Sequence, residues 1–410
     1  MHHTSWHQAR QLLHRAGEAL TLTEEEIPLA EAVGRTLAHD ARALLPVPHY
    51  DSSAMDGYAT AGAPPWRVLT HPPAADGENI HRKTLPLAPG QATPILTGGL
   101  LPPGTEAVIR QEHGLREGNT LSPDPRFFSG QGYPSPGADI RRAGEELPAG
   151  SSVLAAGTCI NARHLGALAT LGLDTLTVTA CPTVAIAYTG NEIITAGLPG
   201  PGQVRDAYSL AFPSIIEDLG AAVTSTCRLP DSKAKLTDWL TATRADLLLI
   251  TGGSSTSTAD WVRRALHDLQ ASYLFESVAI RPGHPALAAH LPASSNLAAP
   301  LVLGLPGNPL AAYTALYSYL TPWLTGATAA PPLDELPTGV LTHEVPSYRK
   351  HDLRLLPASL SPSPHEAALT PLPKTQSHML TSFATADALA LVPPAGAAAG
   401  STVSYLPLPH

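Results

Sequence analysis

The stretch D-L-L-L-I-T-G-G-S-S-T-S-T-A-D, from Asp246 to Asp260, decides the fold. Asp246 and Thr251 bracket the aliphatic run Leu247 to Ile250, which is too short for a helix and suits a buried parallel strand. Gly252 and Gly253 follow, then a hydroxyl-rich run that includes Ser255, then Asp260 at the start of an amphipathic segment. Loops of this kind between a strand and a helix hold phosphates and other oxyanions: glycine lets the backbone approach, and hydroxyls and the helix N-terminus donate hydrogen bonds. The same glycines also serve simple turns, so the surrounding chain has to decide.

Working outward, residues 182–324 alternate as a parallel α/β domain does. Strands are expected at 184–188, 222–226, 247–250 and 301–305, and helices at 208–219, 233–243, 259–269 and 309–324. The last helix has a strong start signal, Asn308 as N-cap and Pro309 at the first helical position. Polar groups collect after the expected strands. They are Thr189-Gly190-Asn191-Glu192, Arg205-Asp206, Asp231, the Gly252 loop, Arg281-Pro282-Gly283-His284-Pro285 and Gly304-Leu305-Pro306-Gly307-Asn308-Pro309. Ligands of open α/β sheets bind outside the carboxyl ends of the strands, so this edge is the expected functional face.

The flanks read differently. An N-terminal helix is expected from Trp6 to Leu20, where Trp6, Ala9, Leu12, Leu13, Ala16 and Leu20 share one face. A proline-rich arm then delivers Asp51-Ser52-Ser53-Ala54-Met55-Asp56-Gly57-Tyr58-Ala59. Two carboxylates in such a loop suit a ligand or cation, or an Asx-turn in which Asp51 and Asp56 bond nearby amides. Residues 63–138 alternate short β-like runs with proline and glycine turns, as a small inserted β domain would. There Thr97, at a Gly-Gly turn, either presents its hydroxyl or caps the turn. In Asp139-Ile140-Arg141-Arg142-Ala143-Gly144-Glu145-Glu146, paired arginines facing paired glutamates make either a solvated turn or an oxyanion and cation site, and Asn161 is placed to cap a helix at 162–171. A linker at 329–337 opens a β-only tail, with strands expected at 351–355 and 388–392.

At 410 residues the chain is long enough for several domains, and 43% hydrophobic content excludes wholesale disorder. A net charge of −9 without a Lys/Arg cluster argues against a nucleic-acid surface. Three widely spaced cysteines fit reduced intracellular thiols better than a disulfide frame or zinc site. No signal-peptide core or membrane-length apolar run is visible, so a cytoplasmic protein away from membranes is expected.

Five pieces are specific as text. They are D-S-S-A-M-D-G-Y-A at 51–59, I-L-T-G-G-x-x-P-P-G at 95–104, E-A-V-I-R-Q-E at 106–112, D-I-R-R-A-G-E-E at 139–146 and G-L-P-G-N-P at 304–309. Through them the chain resembles the molybdopterin molybdenumtransferase family, the MoeA-like proteins that include the C-terminal part of gephyrin. The resemblance runs from Ala9 to Leu406. It implies a multi-domain α/β architecture in an elongated chain. A discontinuous N-terminal linker and dimerisation domain occupies 6–44 and 147–180, and the small inserted β domain 45–146. A three-layer molybdopterin-binding domain spans 181–327, and a β-barrel-like domain 328–410.

The implied activity is insertion of molybdate into adenylylated molybdopterin with release of AMP, assisted by Mg2+. The implied catalytic residues are Asp56, Thr97, Glu146, Glu192 and Asp260, with Glu192, Asp260 and Asp56 as metal ligands. Substrate contacts are expected at Asp206, Asp231, Gly252, Gly253, Ser255, Arg281, His284, Pro306, Gly307, Asn308, Pro309, Arg354 and Ser377. The expected partners are a second copy of the chain, which lends its Asp56 loop to the site, a molybdopterin adenylyltransferase, and molybdoenzyme apoproteins or their chaperones. Chemically, carboxylates hold magnesium against phosphate charge, and arginine grips a dianion with fixed donors. The departures from the family pattern are Asn191, Ala207 with Tyr208, Ser257, His284 and Ala311, and Glu146 stands where aspartate is usual. They leave open an alternative, a weakened paralogue that binds molybdopterin or serves as a scaffold.

Overall fold

The structure, a computed structural model, describes residues 4–69, 85–128, 132–252, 261–293, 299–328, 336–348, 352–362 and 366–409. It divides into two compact units, Met1–Glu25 with Thr179–His410, and Glu26–Val178.

The first unit is built on a six-stranded sheet. Ala222–Arg228, Thr183–Tyr188, Leu247–Thr251 and Leu301–Leu305 lie side by side in that order and run parallel. The aliphatic strand is buried throughout because it faces two cores. Leu247 and Leu249 join one apolar cluster, Leu248 and Ile250 the other, as a two-residue period requires. Asp246 ties the strand starts together, its Oδ2 accepting from Thr183 N at 2.7 Å and Thr183 Oγ1 at 2.6 Å.

Two further strands, Leu287–His290 and Ser272–Phe275, extend the sheet antiparallel, so it is mixed where an all-parallel sheet is expected from the sequence. Lys233–Ala242 and Trp261–Asp268 cover one face; Phe212–Asp218, Pro309–Ala327 and Trp6–Glu18 cover the other. The helix expected from Tyr208 begins only at Phe212, because Asp206 holds residues 208–209 in a turn of its own.

The N-terminal helix starts with a reciprocal capping box, in which Gln8 N donates to Ser5 Oγ and Ser5 N to Gln8 Oε1. It crosses the Pro309–Ala327 helix at glycine on both sides. A Cβ on Gly17 would stand 2.1 Å from the Trp323 carbonyl oxygen, and one on Gly326 2.1 Å from that of His14. Arg10 is buried in this crossing, donates to the Ser318 carbonyl and lies over the Trp6 ring. Burial pulls its guanidinium down to about 10.

The tail of this unit closes into a barrel. Leu353–Ser361, Ala367–Pro371, Thr338–Leu341, Thr402–Pro407 and Ala388–Val392 pair in turn, and the last pairs back to the first. Closure leaves no strand edge unpaired around the ring. The strand expected at 351–355 begins at Leu353 and runs on to Ser361; His351 lies outside the described residues. Ile280–Arg281 pairs in parallel with Leu353 and Arg354, so the Arg281 loop belongs to this barrel and not to an end of the α/β sheet.

The second unit carries another six-stranded sheet, in the order Ala107–Arg110, Gly57–Ala61, Gln91–Ile95, Trp66–Val68, Thr120–Pro123 and Gly114–Glu117. Trp66, Ile109 and Leu121 fill one of its cores. A separate cluster gathers Ile27, Leu37, Ile160, Leu168 and Val178 beside the helix Ala162–Thr170, whose Asn161 cap accepts from Arg163 N at 3.0 Å.

Candidate functional site

In the first unit the parallel strands end together at Arg228, Tyr188, Thr251 and Leu305, and the loops beyond them interlock. Asp231 accepts from Gly190 N at 3.0 Å and Asn191 N at 3.2 Å, and Asn191 Oδ1 accepts from Asp231 N in return. Asp231 is therefore a clamp on the turn that carries Glu192. Thr189 Oγ1 donates to the Thr251 carbonyl at 2.6 Å, and Gly252 N to that of Leu305 at 3.0 Å. Gly252 has φ +80°, and a Cβ there would stand 2.8 Å from Thr189 Oγ1, so only glycine fits. Glu192 is exposed on this turn, and its backbone carbonyl accepts from Val204 N.

Asp206 is different from an open substrate contact. Its carboxylate accepts from Tyr208 N, Ser209 N, Ser209 Oγ and Arg228, and its side chain is 3% exposed. Burial opposes its ionisation, but these donors outweigh burial and hold its pKa below the usual carboxylate range.

A cleft of about 370 Å3 lies where the Pro306–Asn308 loop meets the barrel. Arg281, His284, Arg354 and Ser377, remote from one another in sequence, line it together with Tyr348. Arg281 Nε donates to the buried Asp352 at 3.1 Å. Arg354 Nη1 donates to the Pro346 carbonyl at 3.1 Å, and its guanidinium stacks over the Tyr348 ring at 5.6 Å. Burial lowers the Arg354 pKa from its ordinary value. His284 Nδ1 lies 2.8 Å from the Val278 carbonyl. A carbonyl only accepts, so the ring donates from Nδ1.

Asn308 does stand at the helix start, yet its side chain does not cap: Nδ2 donates to Ser377 Oγ at 3.2 Å, and Ser377 O accepts from Ala311 N. A more apolar cavity of about 360 Å3, lined by Leu240, Arg244, Leu269 and Leu291, lies at the opposite end of the sheet, where strands begin.

The second unit gathers the N-terminal candidates. Asp56 Oδ1 accepts from Thr97 N at 2.6 Å and from Thr97 Oγ1 at 2.8 Å. The Thr97 amide, then its hydroxyl, hold Asp56 below the usual carboxylate range. Asp51 accepts from Ala143 N at 2.8 Å and Arg142 Nη1 at 2.7 Å. The simple Asx-turn reading is thus corrected: both carboxylates bond across long sequence separations and knit three motif loops together. Ser52 and Ser53 pair with Arg141 and Ile140, and Ala54 N donates to the carbonyl of Asp139, whose carboxylate binds Arg110 through two bonds of 2.9 Å. Arg142 pairs with Asp51, while Glu145 accepts from the Arg142 amide, so the Arg142 guanidinium is held by an aspartate of another loop and not by the glutamate pair. Glu146 is exposed, tied in by its backbone to Val47.

Gly253, Ser255 and Asp260 lie outside the described residues. Among the described residues no three His, Cys, Asp or Glu side chains gather as metal ligands. Of the three expected metal ligands, Glu192 and Asp56 are described, in different units. Both are exposed carboxylates, hard oxygen donors of the kind magnesium takes. Asp352, which has a clear place in the site, is not among the residues singled out by the sequence, and Tyr208 is singled out there only as a departure from the family pattern. An aspartate two positions before Arg354 on an expected strand shares its face and was the available signal for the first.

Three family models cover most of the chain: "MoeA N-terminal region (domain I and II)" at residues 4–172, "Probable molybdopterin binding domain" at 185–326 and "MoeA C-terminal region (domain IV)" at 339–408. A molybdopterin molybdenumtransferase 2 of Mycobacterium tuberculosis is 32% identical over 82% of this chain and 79% of its own. A molybdopterin molybdenumtransferase of Bacillus subtilis is 29% identical over 93% and 89%. The crystal structure of a molybdopterin biosynthesis MoeA protein of Pyrococcus horikoshii superimposes with a TM-score of 0.78 over 100% of both chains at 23% identity, which is a likeness of fold.

Proposed function

The chain belongs to the molybdopterin molybdenumtransferase family, and on that premise we propose that it inserts molybdate into adenylylated molybdopterin with release of AMP. The observation that carries this reading is the cleft joining Arg281, Arg354, Asn308 and Ser377. Two guanidiniums suit a tetrahedral dianion, and each is already oriented, Arg281 by Asp352 and Arg354 by the Pro346 carbonyl and the Tyr348 ring. Pre-orientation lowers the entropy lost on binding.

The neighbouring strand-end loops, with Gly252 and Gly307 closely apposed, suit the pterin and its phosphates. Glu192 and Asp260 would hold Mg2+, with Asp56 as a further ligand. The bound cation would offset charge on the phosphoanhydride. In our reading the chain works as a cytoplasmic homodimer, the Asp56 loop of one subunit serving its partner's site. It receives substrate from a molybdopterin adenylyltransferase and passes product to molybdoenzyme apoproteins or their chaperones.

Purified protein given adenylylated molybdopterin, Mg2+ and molybdate should release AMP in step with molybdate consumed. Pterin binding without AMP release, under conditions where a known transferase turns over, would sink the reading in favour of a binding or scaffold role.

A further inference from the structure

Tyr208 stands where the family resemblance leads to asparagine, and it is 8% exposed. Its amide is held by Asp206 Oδ1 at 2.8 Å, and its hydroxyl donates to the Gly307 carbonyl at 2.7 Å. Its ring packs against Phe212, with centroids 5.0 Å apart, and against Tyr313, at 6.3 Å. Burial first, then the Tyr313 phenol and the Asp206 and Glu192 carboxylates, push its ionisation up, so the hydroxyl remains a donor at working pH.

The peptide between Gly307 and Asn308 is trans, and a trans peptide points its carbonyl and its N–H in opposite directions. Holding the carbonyl on Tyr208 therefore sends the Asn308 N–H to the other side. Asn308 lines the cleft with Arg281 and Arg354, and its side chain is fastened to Ser377.

We propose that Tyr208 is a positioning residue of the transferase site: by holding the Gly307 carbonyl it aims the Asn308 amide at the oxyanion in the cleft. The inference rests on the reading of the cleft as the molybdate subsite. Tyr208 touches no reacting atom and acts only through the orientation of one peptide. Without its hydroxyl the Gly307 carbonyl loses its partner and the peptide is released to rotate, which removes one donor from the anion.

The test compares two variants. Tyr208→Phe keeps the ring in the aromatic cluster and deletes the hydroxyl. Tyr313→Phe deletes a bond of the same kind in the same cluster, the 2.7 Å donation to the Ala207 carbonyl, without touching the Gly307 loop. Tyr208→Phe should raise the KM for molybdate about tenfold and leave kcat within about twofold, whereas Tyr313→Phe should leave both within about twofold.

Titration of 15N-asparagine-labelled protein with tungstate, a tetrahedral dianion like molybdate, with no pterin present so that no transfer takes place, should shift the Asn308 amide in the unsubstituted protein and much less in Tyr208→Phe. An unchanged KM and an unchanged amide response in Tyr208→Phe would overturn the proposal, as would an equal KM rise in Tyr313→Phe. Absence of AMP release from the unsubstituted protein would strike the transferase reading instead, and the amide titration would still decide the positioning role.

Discussion

The Asp206 carboxylate takes four donors while its side chain is only 3% exposed. Its lowered pKa fixes the sign of its pH dependence. The unfolded chain binds the proton at higher pH than the folded one. The stability this ion supplies is therefore present above the ordinary carboxylate range and is lost as pH falls through the folded value. Asp206→Asn should flatten the acid limb of a melting-temperature profile below about pH 4 and cost about 3 kcal/mol at neutral pH, because Arg228 loses its partner. A variant as acid-sensitive as the parent would mean that other carboxylates set that limb.

His284 makes a second residue-scale prediction. Its ring gives the Nδ1 proton to the Val278 carbonyl, which leaves that nitrogen unavailable to an anion in the cleft. His284→Lys should lower the molybdate concentration for half-maximal insertion severalfold, because an ammonium carries its charge at every working pH. The assay is initial rate against molybdate at pH 7.5 or thereabouts. No change would mean that position 284 does not touch the anion.

At the scale of elements, legibility followed the range of the interaction that builds each one. The strand at 301–305 and the start of the helix at Pro309 were plain in the sequence, since aliphatic runs and an Asn-Pro start act locally. Leu287–His290 and the edge strand Ser272–Phe275 were not: alanines and a histidine carry little strand preference in the first, the second is only four residues long, and the pairing of both is set by the sheet they join. Asp56 with Thr97 and Arg281 with Asp352 were invisible for the same reason: the partners lie 41 and 71 residues apart.

The helix crossing at Gly17 and Gly326 belongs to this scale too. No local signal marks a glycine that another helix must touch, yet a Cβ at either would meet backbone at 2.1 Å, which no side-chain movement relieves. Gly326→Ala should cost about 3 kcal/mol or more in urea unfolding despite alanine's better helix propensity, with Gly166→Ala, where nothing lies within 4 Å of the added carbon, as the neutral or stabilising control.

At the scale of the whole molecule, the expected catalytic groups fall in both compact units. Glu192 and the Arg281 cleft belong to one, and Asp56, Thr97 and Glu146 to the other. If subunits exchange these contributions, as the proposed homodimer requires, two defective chains should repair each other. Asp56→Ala and Glu192→Ala remove exposed carboxylates, so each variant should fold and each alone should be nearly inactive. In a mixed dimer one site would take both substitutions and the other neither. With random mixing half the dimers are mixed and half of their sites intact, so activity should return to about a quarter of the unsubstituted level. If each chain builds its own site, every site in the mixture carries one lesion and no activity returns. Mixing after dissociation in dilute urea and refolding, with sedimentation to verify the dimer, separates the two outcomes; a monomer at all concentrations would remove the exchange mechanism altogether.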